Sequence, residues 1–112
     1  MTEHDAFYLG HIAEWADRIE AYTAVGREAF MASTLHQDGT IRGFMVIGEA
    51  VKRLSDETCA RAPEVPWRQV AGFRDVLVHD YIGVDVGLGW ETVEQNLPAL
   101  RRAVERLLAD NP

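Results

Sequence analysis

Apolar side chains recur at three- and four-residue intervals along most of this chain, which is the pattern of amphipathic helices. The first such stretch runs from about Asp5 to Val25, with Arg18 and Glu20 on its polar side. Gly26 comes directly after it, and a glycine commonly ends a helix at that position. We therefore predict an opening helix with one buried stripe, formed by Tyr8, Ile12, Trp15, Ile19 and Tyr22.

A second long helix is predicted in the middle of the chain, after a short helix from Arg27 to Ser33. The turn-like residues 38–40 would start it near Ile41. A start near Leu35 is also open, because one glycine costs only about 1 kcal/mol inside a well-packed helix. Gly48 would let a neighbouring helix approach closely. The expected buried stripe is Ile41, Met45, Gly48, Val51 and Leu54 or Ser55.

A charged stripe runs along another side of this central helix, formed by Arg42, Glu49 and Arg53. Glu49 and Arg53 have the favourable acid-first i,i+4 order, so we expect Glu49 to pair with Arg53 or with an arginine of another helix. A carboxylate at Glu49 could also face the same cleft as Arg74, which would give it a catalytic role.

The third long helix is predicted between Pro66, at its first helical position, and Gly83, just past its end. Its buried stripe is expected to contain Val70, Phe73, Leu77 and either Val78 or Tyr81. Ser55 can cap a brief helical turn before it. Trp67 either anchors the long helix by burying its ring or stacks on a nucleotide base.

The last helix is predicted to be capped by Asp85 and interrupted or restarted at Pro98. Its heptad-like seam could bind a coiled-coil partner, but in a short chain it better fits a stripe that closes a bundle. The seam consists of Leu88, Val93, Leu97, Leu100, Val104 and Leu107. We expect one all-α domain over residues 1–112, an up-and-down bundle of four long helices plus one or two short ones.

Composition restricts the partners of this fold. The 112 residues carry a formal net charge of −7, so a broad basic track for nucleic acid is absent and any RNA contact must be local. The single Cys59, the lack of a signal-like segment and the lack of a long apolar run indicate a soluble cytoplasmic protein with no membrane partner. His4 and His11 have no companions at ligand spacing, so we expect surface histidines and no metal or cofactor.

The candidate chemistry lies in the eight residues Arg74-Asp75-Val76-Leu77-Val78-His79-Asp80-Tyr81. Asp75 precedes His79 by four residues, where a carboxylate in a helix can pair with the imidazole and favour its protonated form. A histidine whose pKa lies near neutral pH can transfer a proton. Arg74 can bind phosphate through the several N–H donors of its planar guanidinium group. These groups suit metal-independent RNA cleavage, in which the 2′-hydroxyl attacks the phosphate.

In a regular helix, however, Arg74 and His79 differ by about 140° in direction and do not stack. They converge only if the arginine reaches sideways, if the last turn loosens, or if a second copy contributes its own pair. Arg74 and Tyr81, almost two turns apart, would share a face. Taken alone, these residues also fit a surface ion pair and a helix cap.

The stretch matches the Arg-x4-His-x-Tyr form of the HEPN ribonuclease motif, and the chain resembles the HepT-like toxins in particular. Residues 41–55 resemble the central helix of that family, residues 65–73 its lead-in to the motif, and residues 83–85 and 90–93 the segment after the motif. The resemblance extends from the first helix to Leu108 and favours the earlier start of the central helix. Many family members have asparagine where this chain has Asp75.

The resemblance implies a homodimer that cleaves RNA between its subunits, with Arg74 and His79 catalytic, Asp75 supporting them and no DNA partner. It also implies a type VII toxin–antitoxin system, in which a minimal nucleotidyltransferase antitoxin transfers AMP from ATP to Tyr81. A phenol two residues after His79 would then carry a bulky anion into the phosphate site. The competing interpretation is a catalytically weak module whose groove only binds a nucleotide or docks the nucleotidyltransferase.

Overall fold

The computed structural model describes residues 1–79 and 83–110, and only the backbone of residue 79. Within these residues it confirms the predicted all-α bundle, with one short antiparallel strand pair added. No described helix is both long and apolar enough to cross a membrane. The elements in chain order are α1 (Glu3–Thr23), α2 (Arg27–Met31), α3 (Thr34–Lys52), α4 (Asp56–Ala60), α5 (Trp67–Leu77), β1 (Val78–His79), β2 (Gly83–Val84), α6 (Val86–Gln95) and α7 (Leu97–Ala109).

Helix α1 is the central support of the bundle, since it packs against both α3 and α7. Its fully buried positions are Leu9, Ile12, Ala16 and Ile19. The predicted aromatic members of the stripe, Tyr8, Trp15 and Tyr22, are only half-buried. The buried face of α1 is therefore turned away from the aromatic residues and towards the aliphatic ones. The smaller aliphatic side chains let the neighbouring helices come close, and the aromatic rings lie at the borders of the buried face.

Helix α3 starts at Thr34, where the Ser33 hydroxyl accepts a hydrogen bond from the His36 amide, so the earlier of the two predicted starts is confirmed. The predicted burial of Met45 is wrong, since its side chain is 43% exposed. Ile41 is half-buried. The buried face is turned because α1 and α5 both pack extensively against α3. The residues that it buries are Thr40, Gly43, Phe44, Ile47, Gly48, Ala50 and Val51.

Two glycines of α3 set the distances to these neighbours. A Cβ atom at Gly43 would lie 2.5 Å from Cγ1 of Ile19 on α1, and one at Gly48 would lie 2.9 Å from the carbonyl oxygen of Ala71 on α5. Both distances are shorter than a carbon atom tolerates. The expected close approach at Gly48 is thus confirmed, and it holds α5 against α3.

A buried carboxylate ties the start of α1 to the chain between α3 and α4. Asp5 is 2% exposed. It accepts hydrogen bonds from the Ser55 amide at 3.0 Å, the Ser55 hydroxyl at 2.7 Å and the Thr58 hydroxyl at 2.6 Å. The Ser55 hydroxyl in turn accepts from the Thr58 amide, which confirms the predicted cap of α4. Sequence reasoning missed Asp5, because its partners lie 50 or more residues away.

Helix α5, which carries Arg74, is fixed at its first residue. The Trp67 indole N–H donates to the carbonyl oxygens of Cys59 and Ala62 at 3.1 and 3.0 Å, so Trp67 acts as the predicted anchor. The helix runs antiparallel to α3, because Phe73 contacts Phe44 while Ala71 lies against Gly48, later in α3. The C-terminal end of α5 therefore points towards the N-terminal half of α3.

The predicted last helix is two helices. The Asp85 carboxylate accepts a hydrogen bond from the Leu88 amide at 3.0 Å, which confirms it as the cap of α6. The chain leaves the helix at Asn96 and restarts with Pro98 in the first turn of α7, as predicted for this proline. The buried side of α7 joins the same apolar core as α1 and α3, which confirms the bundle-closing interpretation of the seam.

Candidate functional site

The structure contradicts the predicted length of the helix that carries the candidate chemistry. Helix α5 ends at Leu77, and Val78 already has extended backbone angles, φ −100° and ψ 115°. Two β-branched valines, Val76 and Val78, weaken the helix at this point. Leu77 is 1% exposed and holds the helix end in the core. Gly83, the predicted helix stop, lies in a strand instead.

A two-stranded antiparallel hairpin comes directly after α5. Val78 pairs with Val84, and residue 79 pairs with Gly83. The amide of Asp85 also donates to the carbonyl oxygen of Leu77 at 2.8 Å, which closes the base of the hairpin. Backbone pairing to β2 competes with continuation of the helix, and here the strand pair wins. Periodicity could not predict this, because Leu77 and Val78 fit a helical stripe equally well.

The new backbone path changes the relation between the predicted catalytic residues. Arg74 lies in the last turn of α5 and His79 in β1, so the angle expected for a continuous helix does not apply. The backbone therefore departs from a regular helix before residue 79, which is one of the three conditions under which the two side chains were expected to be able to converge. The i,i+4 helical relation between Asp75 and His79 is wrong for the same reason.

Arg74 and Asp75 are the part of the motif whose side chains the structure describes. Their side chains are 47% and 79% exposed, and Nη1 of Arg74 donates to Oδ1 of Asp75 at 3.1 Å. An exposed pair of this kind contributes at most about 1 kcal/mol and exchanges readily. The guanidinium is thus accessible from solvent and only weakly held by Asp75. The side chain of His79 and all of Tyr81 lie outside the described residues.

Half-buried side chains on the other flank of α5 line an apolar groove. Val70 and Phe73 were predicted to be buried, but they border a space of about 280 Å³ between α3, α5 and the junction of α6 and α7. Leu77 alone of this stripe is fully buried. The flank of α5 that faces this groove is therefore mainly apolar, whereas Arg74 and Asp75 lie exposed near the end of the helix.

A second groove, of about 580 Å³, starts at the hairpin and runs along α3. Val84 lies at its edge, and Arg42 and Arg53 are the cations that line it. The sequence predicted only that these arginines belong to a charged stripe on α3. That stripe was the one feature of the sequence that could have indicated the groove. The predicted pairing of Glu49 with Arg53 is wrong, since Glu49 pairs with Lys52 at 3.1 Å.

The histidines of α1 are integrated into the surface of the fold. The His4 ring nitrogen Nε2 lies 3.0 Å from the Arg53 carbonyl oxygen, and the ring packs edge-on against Tyr8. His11 contacts Phe7. Among residues 1–79 and 83–110, no three His, Cys, Asp or Glu side chains cluster in a way that would bind a metal ion.

Comparison with known proteins agrees with the family resemblance drawn from the sequence. A family model described as "Ribonuclease HepT-like" matches residues 12–107, which is most of the chain. The chain belongs to the ribonuclease HepT-like family. Its relatives include "Probable ribonuclease HepT" of Thermococcus cleftensis, which is 40% identical to this chain over 101 residues, 89% of this chain and 92% of the relative.

Two further relatives extend the HepT-like comparison. A candidate RNase of Caldanaerobacter subterraneus subsp. tengcongensis is 35% identical over 102 residues, 90% of this chain and 91% of the relative. A Methanocaldococcus jannaschii protein, whose name joins gamma-glutamylcyclotransferase to a candidate RNase, is 38% identical over 111 residues. That alignment covers 98% of this chain but 50% of the relative, so this chain spans about half of that protein. No solved structure matches this chain significantly.

Proposed function

We propose that this HepT-like protein is a metal-independent endoribonuclease and the toxin of a toxin–antitoxin pair. The observation that carries the proposal is the position of Arg74, exposed at the end of α5 and followed directly by the hairpin strand that contains His79. Membership of the ribonuclease HepT-like family and the names of its relatives support an RNA substrate. An arginine near a helix end would not by itself support an RNA substrate.

The reaction requires two proton transfers and one group that stabilises negative charge. The 2′-oxygen of a ribose attacks the adjacent phosphorus, and its proton passes to a base. The bond from phosphorus to the 5′-oxygen then breaks, and that oxygen takes up a proton as the leaving group. His79 transfers protons, and Arg74 stabilises the extra negative charge on the phosphorane. Asp75 orients His79 or tunes its pKa.

Two copies of the chain are required to complete this site. One protomer supplies one Arg74 and one His79, whereas a two-fold dimer that joins the motifs would supply two of each at one groove. The formal net charge of −7 fits this arrangement, because a local concentration of guanidinium groups substitutes for a broad basic surface. The partner antitoxin, a minimal nucleotidyltransferase, silences the groove by transferring AMP from ATP to the Tyr81 hydroxyl.

Cleavage of a labelled RNA in the presence of EDTA tests the nuclease directly. Wild type should cleave, and His79→Ala should reduce the rate by at least about 100-fold, the usual contribution of a general acid–base group. Arg74→Ala should lower it similarly, while Arg68→Ala, an exposed arginine at the other end of α5, should leave it unchanged. Expression of wild type alone should arrest bacterial growth, and His79→Ala should restore it.

Asp75 provides a finer test of the same site. Replacing it with asparagine removes a negative charge beside the phosphate and frees Arg74 from its ion pair. We expect RNA affinity to rise about two- to fivefold, which corresponds to the free energy of one exposed ion pair. A loss of activity instead would mean that the carboxylate itself serves His79.

Mass spectrometry tests the modification. Incubation with the partner nucleotidyltransferase and ATP should add the mass of one or more AMP units to wild type and none to Tyr81→Phe.

The competing function is a module that only binds a nucleotide or its partner protein. It is favoured by the ion pair of Arg74 with Asp75 and by the negative net charge of the chain. Absence of RNA cleavage by wild type, together with partner binding, would establish that alternative.

A further inference from the structure

A single residue, Asp85, joins the hairpin to the helices on both sides of it. Its amide donates to the carbonyl oxygen of Leu77, the last residue of α5, at 2.8 Å. Its carbonyl oxygen accepts a hydrogen bond from the Gly89 amide at 3.1 Å, and its carboxylate accepts one from the Leu88 amide at 3.0 Å. Three groups of one residue therefore bind the end of α5 and the first turn of α6.

The hairpin itself is too small to fix its own position. Each strand has two residues, and the two strands form two antiparallel pairs. Among the described residues, Val78 and Val84 are the strand side chains that pack against the core, and both are only half-buried. An isolated two-stranded hairpin is at best marginally stable in water. The position of these strands therefore depends on how their base is held.

The carboxylate of Asp85 holds that base through the start of α6. The first amides of a helix have no partner within the helix, and Asp85 supplies one for the Leu88 amide. Without this acceptor the first turn of α6 should fray. Gly89 belongs to this turn and lies beside Leu77, since a Cβ atom on Gly89 would be 3.7 Å from Cδ2 of Leu77. Fraying would thus loosen contacts at the same point where the hairpin begins.

We infer that Asp85 is a positioning residue, which fixes the hairpin against α5 and α6 and thereby sets where His79 lies relative to Arg74. Arg74 belongs to α5 and residue 79 to β1, on opposite sides of Leu77 in the chain. A movement of the hairpin relative to Leu77 therefore changes the separation of the two groups. Asp85 itself does not enter the reaction. In its catalytic consequence the inference rests on the proposed function.

Substitution of the side chain tests the catalytic consequence. Asp85→Ala removes the carboxylate acceptor and keeps the backbone amide and carbonyl. We expect kcat for RNA cleavage to fall about 10- to 100-fold, because proton transfer by His79 depends on precise distances. KM should stay within about twofold, since Arg74 remains to bind phosphate. Asp85→Asn keeps a capping acceptor and loses only the charge, so its kcat should stay within about twofold of wild type.

Thr2→Ala is the matched control, because Thr2 caps α1 as Asp85 caps α6. The Thr2 hydroxyl accepts a hydrogen bond from the Asp5 amide at 3.1 Å. Loss of either cap should lower the folding equilibrium constant about fivefold. Thr2→Ala should nevertheless keep the kcat of wild type, since it does not touch the hairpin. An equal loss of kcat in both variants would mean that stability and not position limits activity, and would overturn the inference.

Amide hydrogen exchange tests the hold on the hairpin without reference to activity. The protection factor of the residue 85 amide, the donor to Leu77, should fall at least about 10-fold in Asp85→Ala but at most about fivefold in Thr2→Ala. Unchanged protection in Asp85→Ala would overturn the inference, and so would an Asp85→Asn variant whose kcat is as low as that of Asp85→Ala.

The two proposals fail separately. A wild type that cleaves no RNA would remove the proposed function, and the exchange of the residue 85 amide would still decide whether Asp85 holds the hairpin. A wild type that cleaves RNA, with an unchanged kcat in Asp85→Ala, would leave the nuclease standing and overturn the positioning role.

Discussion

Replacement of Asp5 by alanine should destabilise the fold severely, although no proposed catalytic group is touched. The carboxylate accepts three hydrogen bonds. Thr58, whose hydroxyl donates one of them, is only 2% exposed. Loss of a charged acceptor at a buried donor costs about 2 kcal/mol. The two donors of Ser55 can regain water because Ser55 is exposed, so each costs about 1 kcal/mol.

We therefore expect Asp5→Ala to lower the free energy of unfolding by about 4 kcal/mol, a large part of the stability of a domain this size. Asp5→Asn keeps an acceptor oxygen and should lose only about 1 to 2 kcal/mol. Urea denaturation monitored by circular dichroism at 222 nm measures both. The variants must be compared at one protein concentration, since self-association adds to apparent stability. Loss of less than about 1 kcal/mol in Asp5→Ala would refute the reasoning.

The pH dependence provides an independent check on Asp5. Burial raises the pKa of its carboxyl, but the hydrogen bonds from Ser55 and Thr58 together outweigh burial and hold the pKa below the ordinary value of 3.8. The charged form is then the stabilised one, so its contribution is complete above about pH 4 and is lost as the pH falls through the lower pKa of the folded state. The stability difference between wild type and Asp5→Asn should be constant from about pH 7 to 5 and shrink below about pH 4.

Three further substitutions test the packing of α5 and the turn between α1 and α2. Gly48→Ala places a Cβ 2.9 Å from the Ala71 carbonyl oxygen, and the resulting strain should outweigh the gain of about 1 kcal/mol in helix propensity. We expect a net loss of about 1 to 2 kcal/mol in urea denaturation, together with slower RNA cleavage because α5 must move. Trp67→Phe removes the indole donor to Cys59 and Ala62 and should cost about 1 to 2 kcal/mol by thermal denaturation, whereas an unchanged melting temperature would show that the ring alone anchors α5. Gly26→Ala should cost about 1 kcal/mol or more by the same measurement, since φ of 93° is strained for any side chain, and a neutral result would mean that the turn relaxes.

The amino-acid sequence by itself determined the helices whose ends are set by local chemistry. Ser55 and Asp85 cap helices through their own hydroxyl and carboxylate, and Pro98 interrupts a helix because it lacks an N–H. Periodic apolar residues showed that the fold is an all-α bundle, and the Arg-x4-His-x-Tyr spacing indicated its family. These features depend on neighbours within a few residues, so the linear order of the chain contains them.

The tertiary structure alone decided where α5 stops and which side of each helix is buried. Leu77 and Val78 satisfy a helical stripe, but the chain becomes a strand there because Val84 and Asp85 supply backbone partners from later in the sequence. Met45 looked like a core residue until the neighbours of α3 fixed its rotation. Asp5 is buried because Ser55 and Thr58, which follow α3 in the chain, donate hydrogen bonds to it. In each case a contact between distant residues has to compete with the local preference, and its strength depends on distances that only the folded chain defines.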